Sequence, residues 1–367
     1  MNKEEPKTTQ TTDNEHITQD SVLLKIQNLK VQFKSQSKNN IGVKGKVEII
    51  SDVSFDLKEG QILGIVGESG CGKSTLAKTI VQINKQTDGT IHFNGNDIAS
   101  LNKSELKKLK QQIQMIFQDP ISSLNPTKTV LSIVSEPYKV HKIKYSKDEI
   151  ISLLATVGLD SNNIIYRKPK EFSGGQCQRI SIARALSLKP KLLICDEPVS
   201  ALDVSIQAQI LNLLLQIRSE FNMSIIFITH DLSVVKYIAD KIAVMYLGKI
   251  CEIGQADTVI SNPAHPYTQI LINSVLKTTP DDSNTQSTTD ISQGATYIKG
   301  EVPTFLNPPL GCRFSHRCPY SQPICEIEQP TLKPSVKDGL VACHFPLNQT
   351  SLANTTKTNI GEVSEPN

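Results

Sequence analysis

No stretch of this 367-residue sequence approaches 18 consecutive apolar residues, and that absence argues against a membrane-spanning helix. The opening residues also lack the charged-then-apolar pattern of a secretory leader. The chain therefore reads as neither secreted nor inserted, reaching any membrane only through partners. Charge of one sign is equally scarce. With 39 basic and 36 acidic residues the net charge is +3, so no global field argues for nucleic acid. Lys103, Lys107, Lys108 and Lys110 fall on a predicted helix and read as a solvated face. No internal repeat is visible. Apolar residues thin out at 1–20 and 347–367, which predicts disordered ends. They thin again across 278–299, where a linker is expected. What remains is a body at 21–277 and a short module at 300–346 rich in Pro and Cys.

The body carries its chemistry in local runs. Gly67-Glu68-Ser69-Gly70-Cys71-Gly72-Lys73-Ser74 fits G-x-x-x-x-G-K-[ST]. In such a loop backbone N–H groups wrap nucleotide phosphates, the lysine reaches the β and γ groups, and the hydroxyl holds Mg²⁺. A buried strand is predicted at 61–66 and a helix at 74–83, whose N-terminus adds its own preference for anions. Downstream, Leu192 to Cys195 make a short apolar run that predicts a strand buried on both faces. Asp196 at its end is placed to bind Mg²⁺ and Glu197 to act as general base on water.

Around these runs the pattern is mixed α/β. Patchy alternation at 22–33 and 47–57 predicts an antiparallel layer with one wet face. Strands are expected near Ile91 and at 113–117, followed by a largely helical insertion at about 119–188. Ile225 to Thr229 resume the buried-strand pattern after a helix carrying Ile206, Ile210, Leu213, Leu214 and Ile217 on one face. A parallel sheet with crossover helices follows.

In this order the motifs closely resemble the ATP-binding cassette (ABC) family over residues 23–276. Further matches are Gln118 after a strand, the signature Ser173-Gly174-Gly175-Gln176, the D-loop Ser200-Ala201-Leu202-Asp203 and a switch histidine, His230. The resemblance implies a P-loop NTPase (RecA-like) core with an antiparallel β layer and a helical subdomain. It implies ATP held by Gly67, Glu68, Ser69, Gly70, Cys71, Gly72, Lys73, Ser74 and Thr75, with Phe33 stacking on adenine. Ser74, Gln118 and Asp196 would hold Mg²⁺; Glu197, His230 and Gln118 would be catalytic. The signature would face ATP bound by a second subunit in a head-to-tail dimer. Cys177 stands where the family usually has a longer polar or basic residue.

Two later stretches, His265-Pro266-Tyr267-Thr268-Gln269 and Gly300 to Cys312, resemble the ATPases of oligopeptide, dipeptide and nickel importers. That resemblance implies two membrane permeases, an extracytoplasmic binding protein and a partner ATPase, a different chain in preference to a copy of itself. It places the chain at the cytoplasmic face of the membrane, with no nucleic acid partner. Rival readings are a nickel or metal-chelate importer, a cassette ATPase acting on DNA or ribosomes, and a metal-responsive regulator. Cys312, Cys318, Cys325 and Cys343 cluster in the C-terminal module. A cytosolic chain keeps thiols reduced, which argues for a metal site over disulfides. The C-x5-C-x6-C-x17-C spacing fits neither the usual zinc pairs nor the common ferredoxin run. Relatives imply a [4Fe-4S] cluster, with zinc as the alternative. Cys71, Cys177, Cys195 and Cys251 read as ordinary free thiols.

Overall fold

The computed structural model describes residues 21–34, 46–160, 163–276, 304–335 and 339–348. The expected disordered N-terminus, most of the C-terminal tail, the linker, Gly300 to Pro303 and residues 35–45, a polar stretch that follows Phe33, lie outside the described residues.

Among the described residues the strands, in chain order, are β1 (Val22–Lys34), β2 (Lys46–Lys58), β3 (Ile62–Val66), β4 (Asp88–Phe93), β5 (Asn96–Asp97) and β6 (Ile113–Ile116). They continue with β7 (Leu192–Asp196), β8 (Ser224–Thr229), β9 (Lys241–Tyr246), β10 (Lys249–Gln255), β11 (Lys333–Pro334) and β12 (Leu340–Val341). β2, β1, β4 and β5 form an antiparallel sheet in that order. Its mixed burial matches the patchy alternation of the sequence: Leu24, Ile26, Leu29 and Val31 point inward while Lys25, Gln27 and Asn28 stay wet. Register shifts at 26–29 and 29–31 mark bulges that bend β1 around the core.

The second sheet has the order β11-β12-β10-β9-β3-β8-β7-β6. β9, β3, β8, β7 and β6 are parallel neighbours, and β10, β12 and β11 continue antiparallel. Every residue of β3, β7 and β8 is buried, which is why these strands read as unbroken apolar runs. The predicted helix after the loop runs Lys73–Ile80, ending earlier than its apolar pattern, at Val81. The helix Val204–Phe221 makes the crossover from β7 to β8 and buries Ile210, Leu213, Leu214 and Ile217.

Between β6 and β7 the chain is helical, with Pro120–Ser123, Val130–Val134, Glu136–His141, Lys147–Thr156 and Gly174–Leu186. Local chemistry fixes the starts. Asp119 accepts from the N–H groups of Ile121 and Ser122 ahead of Pro120, and Ser146 with Glu149 forms a reciprocal capping box. Ile133, Val134, Ile150, Leu154, Ile180 and Ala183 bury the inward faces in one core.

The cysteine-bearing segment is built onto the cassette. β12 pairs with β10 through Glu252↔Val341 and Ile253↔Leu340. Phe314 is buried against the rings of Tyr246 and Tyr267, with centroids 5.2 Å and 5.3 Å away. Edge-on pairs of this kind add about 1 kcal/mol each to simple burial.

Candidate active site

The chemistry gathers where open α/β sheets bind ligands, at the carboxyl ends of neighbouring parallel strands. The glycine-rich loop leaves β3, Asp196 and Glu197 end β7, His230 follows β8, and Gln118 follows β6. Since β3, β8, β7 and β6 are consecutive in the sheet, four runs distant in sequence face one crevice.

Two glycines in the loop have no substitute. A Cβ on Gly67 would stand 2.1 Å from the Met245 carbonyl oxygen, and Gly72 caps the following helix at φ 107°. Lys73 is buried and its ammonium donates to the carbonyls of Gly67 at 2.7 Å and Glu68 at 3.0 Å. These bonds close the loop on itself. Cys71 is also buried, and burial pushes its thiol above the ordinary range, so it is unreactive packing.

Ser74 Oγ donates to Asp196 Oδ1 at 2.9 Å. Burial, reinforced by the adjacent Glu197 carboxylate, raises the Asp196 pKa against the opposing hydrogen bond from Ser74. Ser74, Gln118 and Asp196 line one open cavity of about 570 Å³ together with Asp119 and Arg184. Hydroxyl, amide and carboxylate oxygens are the donors that Mg²⁺ accepts, so this set fits that ion.

Glu197 is held from three sides. Its backbone is left-handed at φ 48°, a conformation that costs a non-glycine residue about 1 kcal/mol. Its N–H donates to Ile228 O of β8 at 2.9 Å. Gln118 Nε2 donates to Glu197 Oε2 at 3.1 Å, and His230 Nδ1 lies 3.5 Å from Glu197 Oε1. The carboxylate is nearly enclosed while His230 is half exposed, so the imidazole is on the open side of the pair.

Ser173 spends its side chain locally. Its Oγ accepts from Gln176 N at 3.3 Å and Gln176 Oε1 accepts from Ser173 N at 3.0 Å, a capping box that starts the helix Gly174–Leu186. Cys177 is buried inside that helix, with its thiol against the Pro169 carbonyl at 3.5 Å. A Cβ on Gly175 would fall 2.6 Å from Ile206 Cγ2, so the signature packs directly on the helix that follows the D-loop. Leu202 of the D-loop borders Gly174. Among the described residues no hydrogen bond or ion pair joins Ser173, Gly174, Gly175 or Gln176 to the glycine-rich loop of the same chain. Phe33 sits near the end of β1 opposite Val47 and is 42% exposed.

Three contacts escaped sequence reasoning. Tyr267 Oη accepts from Glu68 N at 2.9 Å. Arg317 donates to both Glu68 carboxylate oxygens, at 2.8 and 3.0 Å. Glu252, buried in β10, accepts from Ala264 N and His265 N at 2.8 and 2.9 Å and so fixes the entry to the helix Pro266–Leu276. The His265 to Gln269 stretch was legible as a motif, but its contact was not; Arg317 gave no signal at all.

Cys312, Cys318, Cys325 and Cys343 line one small pocket with His265, Phe314 and Phe345. All eight cysteines are free. Burial pushes the Cys318 thiol up to about 11 and the Cys343 thiol up to about 12. Among the described residues no group of three or more His, Cys, Asp or Glu has the close geometry of a site for a metal ion. Nor, among them, is any helix long and apolar enough to cross a membrane.

Comparison with known proteins agrees with this geometry. The family described as "ABC transporter" matches residues 50–200, and that described as "Oligopeptide/dipeptide transporter, C-terminal region" matches residues 251–325. The chain is 48% identical to the oligopeptide transport ATP-binding protein AppF of Bacillus subtilis over 82% of its own length and 90% of that protein. It is 46% identical to the oligopeptide transport ATP-binding protein OppF of Salmonella typhimurium, covering 89% of this chain and 97% of the relative. Among solved structures, the dimeric post-hydrolysis state of the ATP-binding cassette MJ0796 bound to ADP and Pi superposes with a TM-score of 0.56 at 27% identity, over 64% of this chain and 98% of that one.

Proposed function

Because the chain belongs to the ABC transporter family, among the ATP-binding subunits of oligopeptide and dipeptide importers, we propose that it hydrolyses ATP to drive peptide uptake through membrane permeases. The observation that carries the reading is the placement of Glu197 between Gln118 and His230, with only β8 between its strand and that of the phosphate loop.

The residues divide the work. The loop Gly67 to Thr75 receives the phosphates through the backbone N–H groups that Tyr267 does not take, and Lys73 turns from its carbonyl partners to them. Phe33 offers the adenine an exposed ring. Ser74, Asp196 and Gln118 would hold Mg²⁺, which would supply neutralisation of phosphate charge. Glu197 takes the proton of the attacking water, and His230 orients that carboxylate from the open side. The signature residues, with no hydrogen bond or ion pair to their own loop among the described residues, complete the ATP site of a partner ATPase, a second, different chain, in a head-to-tail dimer. Ser200 to Asp203 run along that junction. The helices that follow Gln118 contact the permeases on the cytoplasmic face, and an extracytoplasmic binding protein selects the peptide.

The four thiols are assigned to a [4Fe-4S] cluster, with zinc as the alternative. Their all-sulfur donor set and shared pocket support it; as placed, they do not close into a metal-binding group among the described residues. Glu197→Gln tests the core of the reading: ATP binding persists and phosphate release stops. Near-normal hydrolysis by that variant would sink the assignment of the base. Affinity purification from detergent-solubilised membranes tests the setting. Two multi-spanning permeases and a second cassette ATPase are expected, and a catch of ribosomes or DNA-bound proteins would overturn it.

A further inference from the structure

Two segments far along the chain converge on one residue of the phosphate loop. Glu68 has its N–H on Tyr267 Oη, its carbonyl on Lys73 Nζ and its carboxylate on Arg317. From this convergence we propose that Arg317 is a positioning residue for nucleotide binding, acting through Glu68 in concert with Tyr267. The proposal rests on the ATPase reading above.

The electrostatic case is direct. A carboxylate on a loop that must accept polyphosphate opposes its ligand unless a cation cancels it. Arg317 does so with two parallel bonds, the geometry that guanidinium makes and ammonium does not. The side chains are only 7% and 20% exposed, so solvent screens the pair weakly. The mechanical case is separate. Arg317 Nη1 also donates to Tyr246 Oη at 3.0 Å, and the Tyr246 ring packs against both Tyr267, at 4.7 Å, and Phe314, at 5.2 Å. The guanidinium is therefore fixed to β9 and to the aromatic core before it reaches Glu68. Gly67 on one side is set by its close approach to β9, and Glu68 is set by Arg317 and Tyr267. The C-terminal segment thereby fixes where the loop presents its N–H groups.

Calorimetric titration of the full-length chain with Mg-ADP reads the phosphate loop without turnover. Failure of the unaltered chain to bind would overturn the ATPase reading itself. Once binding is established, Arg317→Ala is expected to weaken it roughly tenfold to a hundredfold. Adding Glu68→Gln should recover the electrostatic part of that loss, since no carboxylate then needs cancelling, and Arg317→Lys should fall between. Thermal unfolding without nucleotide, run on each variant, separates a merely structural role, which would lower melting in Arg317→Ala without recovery of affinity in the double variant. Unchanged affinity in Arg317→Ala, or equal loss in the single and double variants, overturns the proposal.

Discussion

Gln118, from the end of β6, donates a hydrogen bond of 3.1 Å to the carboxylate of Glu197 at the end of β7. The amide thus holds that carboxylate in place and lies in the cavity shared with Ser74 and Asp196. Gln118→Ala is expected to lower kcat by about tenfold while leaving ATP binding within about twofold, since orientation of a base is a fraction of its full effect. Gln118→Glu should be worse, because a second carboxylate facing Glu197 favours protonation of one of them. Phosphate-release kinetics at saturating ATP, beside equilibrium binding, check both.

Gly67→Ala places a methyl group 2.1 Å from the Met245 carbonyl oxygen. Backbone cannot yield as a side chain tip can, so the loop must move away from β9. The expected result is a stability loss of about 2 kcal/mol together with loss of nucleotide binding. Gly70→Ala is a useful contrast, for its Cβ meets nothing within 4 Å and only the strained φ of 79° opposes it. Denaturant unfolding of the two variants should rank them in that order.

Burial holds the His265 imidazole neutral down to about 3, and its Nδ1 accepts from Tyr267 N at 3.0 Å. The unfolded chain takes up a proton near pH 6.5 that the folded chain refuses, so this residue leaves stability intact above pH 6.5 and erodes it as pH falls. By pH 5 the loss is about 2 kcal/mol. His265→Asn keeps an acceptor near the same place but does not titrate. Its stability should fall less between pH 7 and pH 5 than that of the unaltered chain, measured by urea unfolding at each pH.

Anaerobic purification should yield a chain carrying iron and acid-labile sulfide in equal amounts. Cys325→Ser should lose both, because one corner of an all-thiolate set is removed. Zinc without sulfide would assign the same thiols to a single ion.

Most of the residues gathered in the crevice were legible because each part is local. The glycine loop, Asp196 with Glu197, Gln118 and His230 each sit at the end of a short apolar run, and the parallel sheet then sets those ends side by side. The left-handed backbone of Glu197 was not legible, since nothing in the residue type demands it. Ser173 read as an anion site, yet its side chain also serves as the cap of its own helix. β9 and β10 passed unnoticed although both are apolar, for no motif marks their ends. Arg317 was invisible for a deeper reason: an isolated arginine has no period, and its partner stands 249 residues away.

That separation also bears on how the protein is made. Glu68 meets Tyr267 across 199 positions and Arg317 across 249. Contacts of such span close late, after the loop-closure entropy of the intervening chain has been met. During synthesis the glycine loop emerges long before either anchor, and domains fold as they leave the ribosome. The nascent cassette therefore holds an unbraced nucleotide loop until the aromatic core around Phe314 is translated, and an arginine made 249 residues later completes what Glu68 began.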